Sequence, residues 1–438
     1  MKNSTPLRIT RTFTVSNVDA FKESLLSWAQ KFEEVAWLDS NGHQDRYSEF
    51  DALLAVDART SLVSDAQNAF KNLKDYQAEI QDWIFGYLSY DLKNDTEILS
   101  SNHVDEHHFP ELYFFQPKKI IRITGNSVDF MYVNLEGDAI PLDFEEISNI
   151  SGADVLEIPT YNDIRIKLRT FKDDYFNRVN ELLAHIHRGD IYEANFCQEF
   201  YAEQSEIDPL KTYAKLNSIS KAPFATFLKI QHKYLLCASP ERYLKKRGNQ
   251  IISQPIKGTA KRSENPSTDA ALRAGLQADA KERAENIMIV DLVRNDFSKG
   301  ALKGSVAVEE LCRVYTFEQV HQMISTITAE VEEGKNPVDI IRDTFPMGSM
   351  TGAPKISAMQ IIEKLEAFKR GLYSGATGYF TPMGDFDLNV VIRSILYNKD
   401  KKYVSYAVGS AITAKSVPEK EYEECLLKAK AMREVLGG

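Results

Sequence analysis

Apolar positions alternate with polar ones near the start of the chain. Ile9, Phe13 and Val15 stand among Arg and Thr in RITRTFTV, and this period of two predicts an opening β-strand. Short alternating runs continue through AWLDS, RYSEFDALLAV, ELYFFQP, KKIIRIT and SVDFMYVN, predicting antiparallel strands with a few helices. Residues 139–163 (AIPLDFEEISNISGADVLEIPTYND) are polar and punctuated and form the expected crossover. Beyond it the period changes. In FKDDYFNRVNELLAHIHRGD, Tyr175, Val179, Leu182, Leu183 and Ile186 recur at helical spacing, and Gly189 ends the run. Strand-like runs follow at IYEANFCQEFYAE, FATFLKI and KYLLCAS, then one long helical stretch over TDAALRAGLQADAKERAENIMIVDLVRNDFSK. Further strands are expected at VYTFEQV, ATGYFTPM, FDLNVVIRSILY and KYVSYAVGSAIT. An amphipathic helix, PEKEYEECLLKAKAMREVL, follows them, with Pro418 suited to its first turn. Hairpins and helices mixed in this way predict α+β layers rather than βαβ units. The change of texture divides the chain into an N-terminal subdomain over residues 1–155 and a second domain over 160–436.

Composition narrows the function classes. The 438 residues are 43% hydrophobic and 26% charged, and no apolar run approaches the roughly 18–20 residues of a membrane helix. The N-terminus lacks the apolar core of a signal peptide, so a cytoplasmic protein is expected. A net charge of −10 argues against nucleic acid and anionic membranes as partners. Cys197, Cys237, Cys312 and Cys425 lie far apart with no C-x-x-C pair, which predicts buried, reduced thiols rather than disulfides or a zinc site. The eight histidines form no H-E-x-x-H set, and the one H-x-x-x-H spacing, His103 to His107, falls in an acidic loop.

Three segments carry candidate chemistry. Glu282 and Glu285 share one helix face in KERAENIMIVDL, and Glu421 and Glu424 repeat that spacing in EKEYEECLLKAK, with Lys428 one turn further on. By spacing alone these are solvated helix charges. Glu285, however, leads into IMIVDLV, a run too apolar for solvent, and two facing Glu pairs would make an oxygen-only site suited to Mg²⁺. The run FPMGSMTGAPKISAMQIIEKLE is no Walker A loop, because Ala353 and Pro354 follow Gly352 where a lysine is needed. It predicts a Gly/Ser/Thr turn feeding a helix that begins near Pro354. Tyr379 and Arg393 stand in apolar, strand-like surroundings, where an arginine either pairs with an acidic side chain or offers its fork to a substrate carboxylate. Gly409 in AVGSAIT would let backbone amides approach a small ligand.

Taken together these segments resemble the chorismate-utilising family, which includes the anthranilate synthase large subunit, aminodeoxychorismate synthase component I, isochorismate synthase and salicylate synthase. The resemblance runs in order through GDIYEANFCQ, SPERYL, PIKGT, KERAENIMIVDLVRND, FPMGSMTGAPK, GATGYF, NVVIRS and EKEYEECLLKA, over about residues 170–434. WLDS and RYSEFD extend it more loosely into the N-terminal third. The family implies an α+β, anthranilate-synthase-like fold of two packed antiparallel sheets with helices outside and a central cleft. It implies one Mg²⁺ on the ring carboxylate of chorismate, held by Glu285 and Glu424 directly and by Glu282 and Glu421 through water. Tyr379, Arg393 and Gly409 resemble the clamp on the enolpyruvyl carboxylate, Lys428 a neighbour of the metal, and Gly258 and Thr259 the surroundings of the ring hydroxyl. Ser40, Tyr47 and Ser48 resemble a region that holds tryptophan in related proteins. Gln322 stands where the family often has His, with His321 one place earlier, which removes a titratable group there.

Lys257 in SQPIKGT separates the branches. By itself it reads as a solvated turn charge. Anthranilate synthases resemble this stretch but carry alanine, whereas a lysine here resembles the aminodeoxychorismate branch, where it is a nucleophile on the ring. An attacking amine must be partly neutral, so an ordinary value near ~10.4 has to be lowered by desolvation or a nearby cation. Glu241 in SPERYL resembles the family's general acid/base. The resemblance implies amination of chorismate at C4, giving 4-amino-4-deoxychorismate for 4-aminobenzoate and folate synthesis. The sequence shows no nucleophile-elbow Cys with a His partner, so ammonia is expected from a separate glutamine amidotransferase subunit. The alternatives are an anthranilate synthase and a non-catalytic, tryptophan-binding relative.

Overall fold

A computed structural model describes residues 7–44, 46–150, 164–317 and 320–437. The N-terminal third contributes strands β1 (Arg8–Thr14), β2 (Glu34–Asp39), β3 (Ala52–Ser64), β4 (Ile84–Leu88), β5 (Leu112–Thr124) and β6 (Ser127–Val133). Between them lie helices α1 (Val18–Ala29), α2 (Ala69–Ile80) and the short α3 (Lys93–Thr96), with α4 (Ile140–Asn149) after β6. The expected crossover thus begins as α4, and its remainder from residue 151 to 163 lies outside the described residues.

The second part opens with β7 (Lys167–Leu168), α5 (Lys172–Arg188), β8 (Glu193–Ala202) and α6 (Pro209–Ser220). Strands β9 (Phe224–Ile230), β10 (Lys233–Ser239), β11 (Arg242–Arg247), β12 (Gln250–Gln254) and β13 (Ile256–Lys261) follow. Then come α7 (Pro266–Ala278), α8 (Ala280–Ser298), β14 (Ala307–Thr316), β15 (Val320–Glu330) and α9 (Pro337–Thr344). The last elements are β16 (Gly352–Ala353), α10 (Lys355–Leu365), β17 (Ala376–Phe380), β18 (Phe386–Val390), β19 (Ser394–Asn398), β20 (Tyr403–Thr413) and α11 (Pro418–Val435).

Every strand pairing among the described residues is antiparallel. The network branches at β5, which pairs with both β3 and β4. One arm runs from β3 through β2, β9, β10, β19 and β20 to β8. The other runs from β4 through β17, β18, β11 and β12 to β15. The two arms pack face to face over a shared apolar core: Ala36, Leu228, Leu235 and Leu396 from the first meet Phe85, Leu244, Ile327 and Leu388 from the second. The outer face of the first arm is covered by α1, α4, α5, α6, α10 and α11, so that on β2 Val35 and Trp37 face helices while Ala36 faces the other arm. This is the α+β arrangement of packed antiparallel sheets that the sequence predicts. Because β2 pairs β9 and β4 pairs β17, the N-terminal subdomain shares its sheets with the rest of the chain.

Three predicted elements are broken, each for a local reason. The long helical stretch is two helices, because Asp279 adopts an extended backbone and its carboxylate accepts from the amides of Lys281 and Glu282, starting α8 afresh. FDLNVVIRSILY is interrupted between β18 and β19, where Arg393 has φ 52°, a left-handed conformation that turns the chain out of the extended path. VYTFEQV is the end of β14 and the start of β15, with residues 318–319 outside the described residues. Helices α5, with Gly189 at φ 87°, α10, capped at Pro354, and α11 fall where the pattern places them.

Candidate active site

Lys257 lies in a strand, not a turn. β12 and β13 run end to end along one edge of β15, interrupted at Pro255, which has no amide to donate but whose carbonyl accepts from Ser325 N at 3.2 Å. The register then slips between Ile256 and Thr259, a bulge that contains Lys257 and Gly258. Gly258 has φ +92°, and a Cβ there would stand 3.2 Å from both Glu282 Oε2 and Leu276 Cδ1, so the bulge needs glycine for conformation and for space. Lys257 is turned inward: its side chain is 15% exposed, and its Nζ lies 3.6 Å from Glu193 Oε1. Burial alone would lower its proton affinity, but Glu193, Glu285, Glu241 and Glu424 outweigh burial and raise it above the ordinary lysine value. This corrects the expectation of a lowered value and gives Lys257 a need for a proton acceptor. Thr259, beyond the bulge, is exposed and stands opposite Gln322.

Glu241 sits between β10 and β11, with its backbone fixed by Glu241 N donating to Ser239 Oγ (3.2 Å) and Val390 N donating to Glu241 O (3.0 Å). Burial pushes its carboxyl up to about 7, against the Ser349 hydroxyl that donates to it and the charges of Lys257 and Lys428. A carboxyl that titrates near neutrality suits general acid–base work. Ser349 comes from the Gly/Ser/Thr turn, where a Cβ on Gly348 would meet Leu292 Cδ2 at 2.6 Å.

Helices α8 and α11 bring the four glutamates together. Glu282, Glu285, Glu421 and Glu424 all act electrostatically on one cation, Lys281. Burial lifts Glu285 to about 7, and its Oε1 is buried without a hydrogen bond although Lys281 Nζ stands 3.5 Å away. Burial would also raise Glu424, but Lys428, at 2.6 Å, leads a group of lysines that hold it below the usual range. Glu421 is buried, and burial raises the Glu282 carboxyl. Among the described residues no three His, Cys, Asp or Glu side chains stand close enough together to hold a cation between them. Mg²⁺ requires only one or two protein carboxylates, with waters and substrate oxygens completing its shell. An oxygen-only set with one buried, unsatisfied carboxylate oxygen fits that ion.

Lys428 links this cluster to the opposite wall. Its Nζ donates to Gly409 O at 2.8 Å, and its carbonyl accepts from Arg393 Nη1 at 3.5 Å. Gly409 lies opposite Cys197, and a Cβ there would come within 2.5 Å of Cys197 Sγ. No carboxylate among the described residues pairs with Arg393, whose proton affinity burial lowers. Its aromatic neighbour is Tyr373, not Tyr379. Tyr379 packs against Phe50, Trp83 and Phe85 and lines a different cavity of about 300 Å³, together with Ser40 and Ser48. The expectation that Tyr379 clamps a carboxylate beside Arg393 is therefore corrected: β17 carries it to the N-terminal side, whereas Tyr373 precedes that strand. Tyr47 does not line this cavity, and its hydroxyl donates to Glu309 Oε2 at 2.9 Å. His321 is buried against Asp269 and Thr316.

Sequence reasoning passed over Glu193, Ser349 and Tyr373. Glu193 is 1% exposed and its Oε2 has no hydrogen-bond partner. The signal that could have found it is a carboxylate in the otherwise apolar strand IYEANFCQ, since a charge is seldom buried there without a task.

The family model described as chorismate binding enzyme matches residues 33–434. The chain belongs to this family. It is 34% identical over 401 residues to the probable chloroplastic aminodeoxychorismate synthase of Oryza sativa subsp. japonica, covering 83% of this chain and 44% of that protein. It is 42% identical over 282 residues to the aminodeoxychorismate synthase of Streptomyces griseus, covering 64% and 38%. The chain thus spans less than half the length of these two relatives. With aminodeoxychorismate synthase component 1 of Bacillus subtilis (strain 168) it shares 30% identity over 368 residues, 82% of this chain and 77% of the other. Among solved structures, anthranilate synthase component I from Streptococcus pneumoniae TIGR4 superposes with a TM-score of 0.74 at 23% identity, covering 89% of this chain and 93% of the other. MenF, the menaquinone-specific isochorismate synthase from Escherichia coli, does so with 0.75 at 18%, covering 99% and 95%. At such identities the two structures speak for the fold alone, which this family member shares with both. No helix among its described residues is long and apolar enough to cross a membrane.

Proposed function

We propose that this family member aminates chorismate at C4, giving 4-amino-4-deoxychorismate, with Mg²⁺ as cofactor and ammonia supplied by a glutamine amidotransferase subunit. The observation that carries this reading is Lys257, held inside the cleft among Glu193, Glu241, Glu285 and Glu424. The names of the rice, Streptomyces and Bacillus relatives support it, and "component 1" in the last supports a partner.

Lys257 must give up a proton before it can attack, and Glu193, 3.6 Å away with one oxygen unpaired, is the acceptor at hand. The Lys257 nitrogen then bonds to ring C2. The two ring double bonds shift, and the C4–O bond breaks as Glu241 in its acid form delivers a proton, so that water leaves. Ammonia adds at C4 and surrenders a proton to the Glu241 carboxylate. The double bonds shift back, and the C2–N bond breaks with its electron pair on Lys257, which regains its proton from Glu193. Chorismate and ammonia have become aminodeoxychorismate and water, with both carboxyl groups restored. Arg393, with Tyr373 beside it, and Gly409 orient the enolpyruvyl carboxylate. Glu285 and Glu424, with Glu282 and Glu421 behind them, would hold Mg²⁺, which supplies neutralisation of the ring carboxylate.

The second cavity supports bound tryptophan as an expectation centred on Ser40 and Ser48 rather than Tyr47. Its wall combines aromatic rings with a buried Ser40 hydroxyl that has no hydrogen-bond partner. The decisive assay incubates the protein with chorismate, Mg²⁺ and ammonium and identifies products by mass and fluorescence. Aminodeoxychorismate is expected. Fluorescent anthranilate, or isochorismate alone, would overturn the reading.

A further inference from the structure

Lys355, the first residue of α10, is a cation where a helix dipole disfavours one. Its side chain is 11% exposed, and its three hydrogen bonds reach the end of α9, the turn that follows it and α8. Nζ donates to Thr344 O at 3.0 Å, Pro346 O at 2.8 Å and Asp296 Oδ2 at 2.5 Å. Asp296 is itself buried on α8, and its other oxygen accepts from Lys299 at 3.0 Å. Three acceptors from two elements thus converge on one ammonium and fix the path of residues 344–346. The same turn continues through Met347 and Gly348 to Ser349, whose hydroxyl donates to Glu241. A cavity of about 20 Å³ is lined by Glu241, Asp296, Thr344 and Ser349, which places the staple and the carboxyl on one wall. Thr344 ties this wall to β11 as well, since its hydroxyl is 2.7 Å from that of Tyr243.

We propose that Lys355 is a positioning residue for Glu241: it staples the Thr344–Ser349 turn so that Ser349 meets the carboxyl in the geometry that sets its protonation. Lys355 lies outside the reacting cleft and acts through Ser349. The charged groups facing Glu241 are Lys257 from β13 and Lys428 from α11, with Arg242 and Asp296 in the cavity wall. Neither Lys257 nor Lys428 belongs to the staple, so loosening the turn leaves both charges in place. The inference rests on reading Glu241 as the acid–base group.

The test compares Lys355→Met, Ser349→Ala and the double variant in the 438-residue chain, with two readouts. In ammonium-dependent turnover, each single variant should lower kcat about tenfold or more with KM within about threefold. Each should move the same limb of the pH profile by at least about half a unit, and the double variant should be no worse than the poorer single one. The other readout needs no turnover: the infrared band of the protonated Glu241 carboxyl, assigned by its loss in Glu241→Gln, should titrate at a shifted pH in Lys355→Met. A wild-type protein that makes no amino product overturns the functional reading while the infrared titration still tests the staple. An unmoved limb and band, or single effects that multiply in the double variant, would overturn the staple, because a merely stabilising lysine lowers melting temperature without touching either. If Lys355→Met does not fold, Lys355→Gln, which keeps one donor for the turn, is held to the same criteria.

Discussion

The candidate cleft and the N-terminal cavity are built on the same stretches of chain and treat charge in opposite ways. Pro240, Gln254 and Ile256 line the cavity, while Glu241 and Lys257, one residue along, turn into the cleft. In the cavity the charges are matched: Arg242 Nε pairs with Asp387 at 3.0 Å, Lys245 with Glu49 at 3.1 Å and with Asp387 at 3.2 Å, and Asp39 with Lys22 at 2.8 Å. What it leaves unsatisfied are neutral hydroxyls, Ser40 and Thr226. In the cleft the unsatisfied atoms are carboxylate oxygens, Glu193 Oε2 and Glu285 Oε1, and Glu241 and Glu285 are pushed to about 7. Matched charges with spare hydroxyls can recognise a ligand and do nothing to it. Mismatched charges at the edge of ionisation can move protons.

Four substitutions test this contrast. Lys257→Ala should reduce amination by about a thousandfold or more and abolish any chorismate-derived mass increment on the intact protein, while tryptophan binding measured by calorimetry stays unchanged. An adduct that persists on the variant would show that the nucleophile lies elsewhere. Glu241→Gln should lower kcat about 10²- to 10⁴-fold. In the wild type the acid form is present below about pH 7, so a kcat limited by C4–O cleavage should fall above it, and this limb should vanish in the variant. The stability sign runs the same way. The native carboxyl binds its proton more tightly than the unfolded one, so stability declines as pH rises from about 4.5 to about 7. Chemical denaturation at pH 8 should then find Glu241→Gln more stable by up to about 3 kcal/mol. Gly258→Ala, strained by its positive φ and crowding Glu282, should cost about 1–3 kcal/mol in denaturant midpoint and at least about tenfold in activity. Ser40→Ala should weaken tryptophan binding by about 1 kcal/mol, roughly fivefold, and leave turnover within about twofold.

The helices beginning at Lys172, Lys355 and Pro418 were legible because periodicity, a stop glycine or a proline start are local signals. The branched sheet was not, since β4 finds β17 nearly 300 positions away and no short pattern encodes that pairing. Breaks at Asp279 and Arg393 escaped because a competing side-chain cap and a left-handed non-glycine leave the apolar period intact. In the site, Lys257, Glu241, Arg393 and the glutamates were legible through ordered motifs, and the structure gathers them. Tyr379 was misplaced because two tyrosines six residues apart stand in equally apolar surroundings, and the strand that starts between them sends only one to the cavity. Glu193 was missed because its significance lies in Lys257, which reaches it from β13 of the other arm.

Each candidate catalytic side chain directly follows a cavity-lining neighbour: Glu241 follows Pro240, and Lys257 follows Ile256. The side chains of each neighbouring pair point to opposite sides of the chain, so these segments behave like text read in a frame of two. Inserting a single residue ahead of Pro240 would hand the cavity a carboxyl and the cleft a proline, disrupting both sites at once although every original residue is kept. The hairpin turn at Gly248, φ 60° and open to space on its Cβ side, is where β11 and β12 can vary in length without shifting that frame.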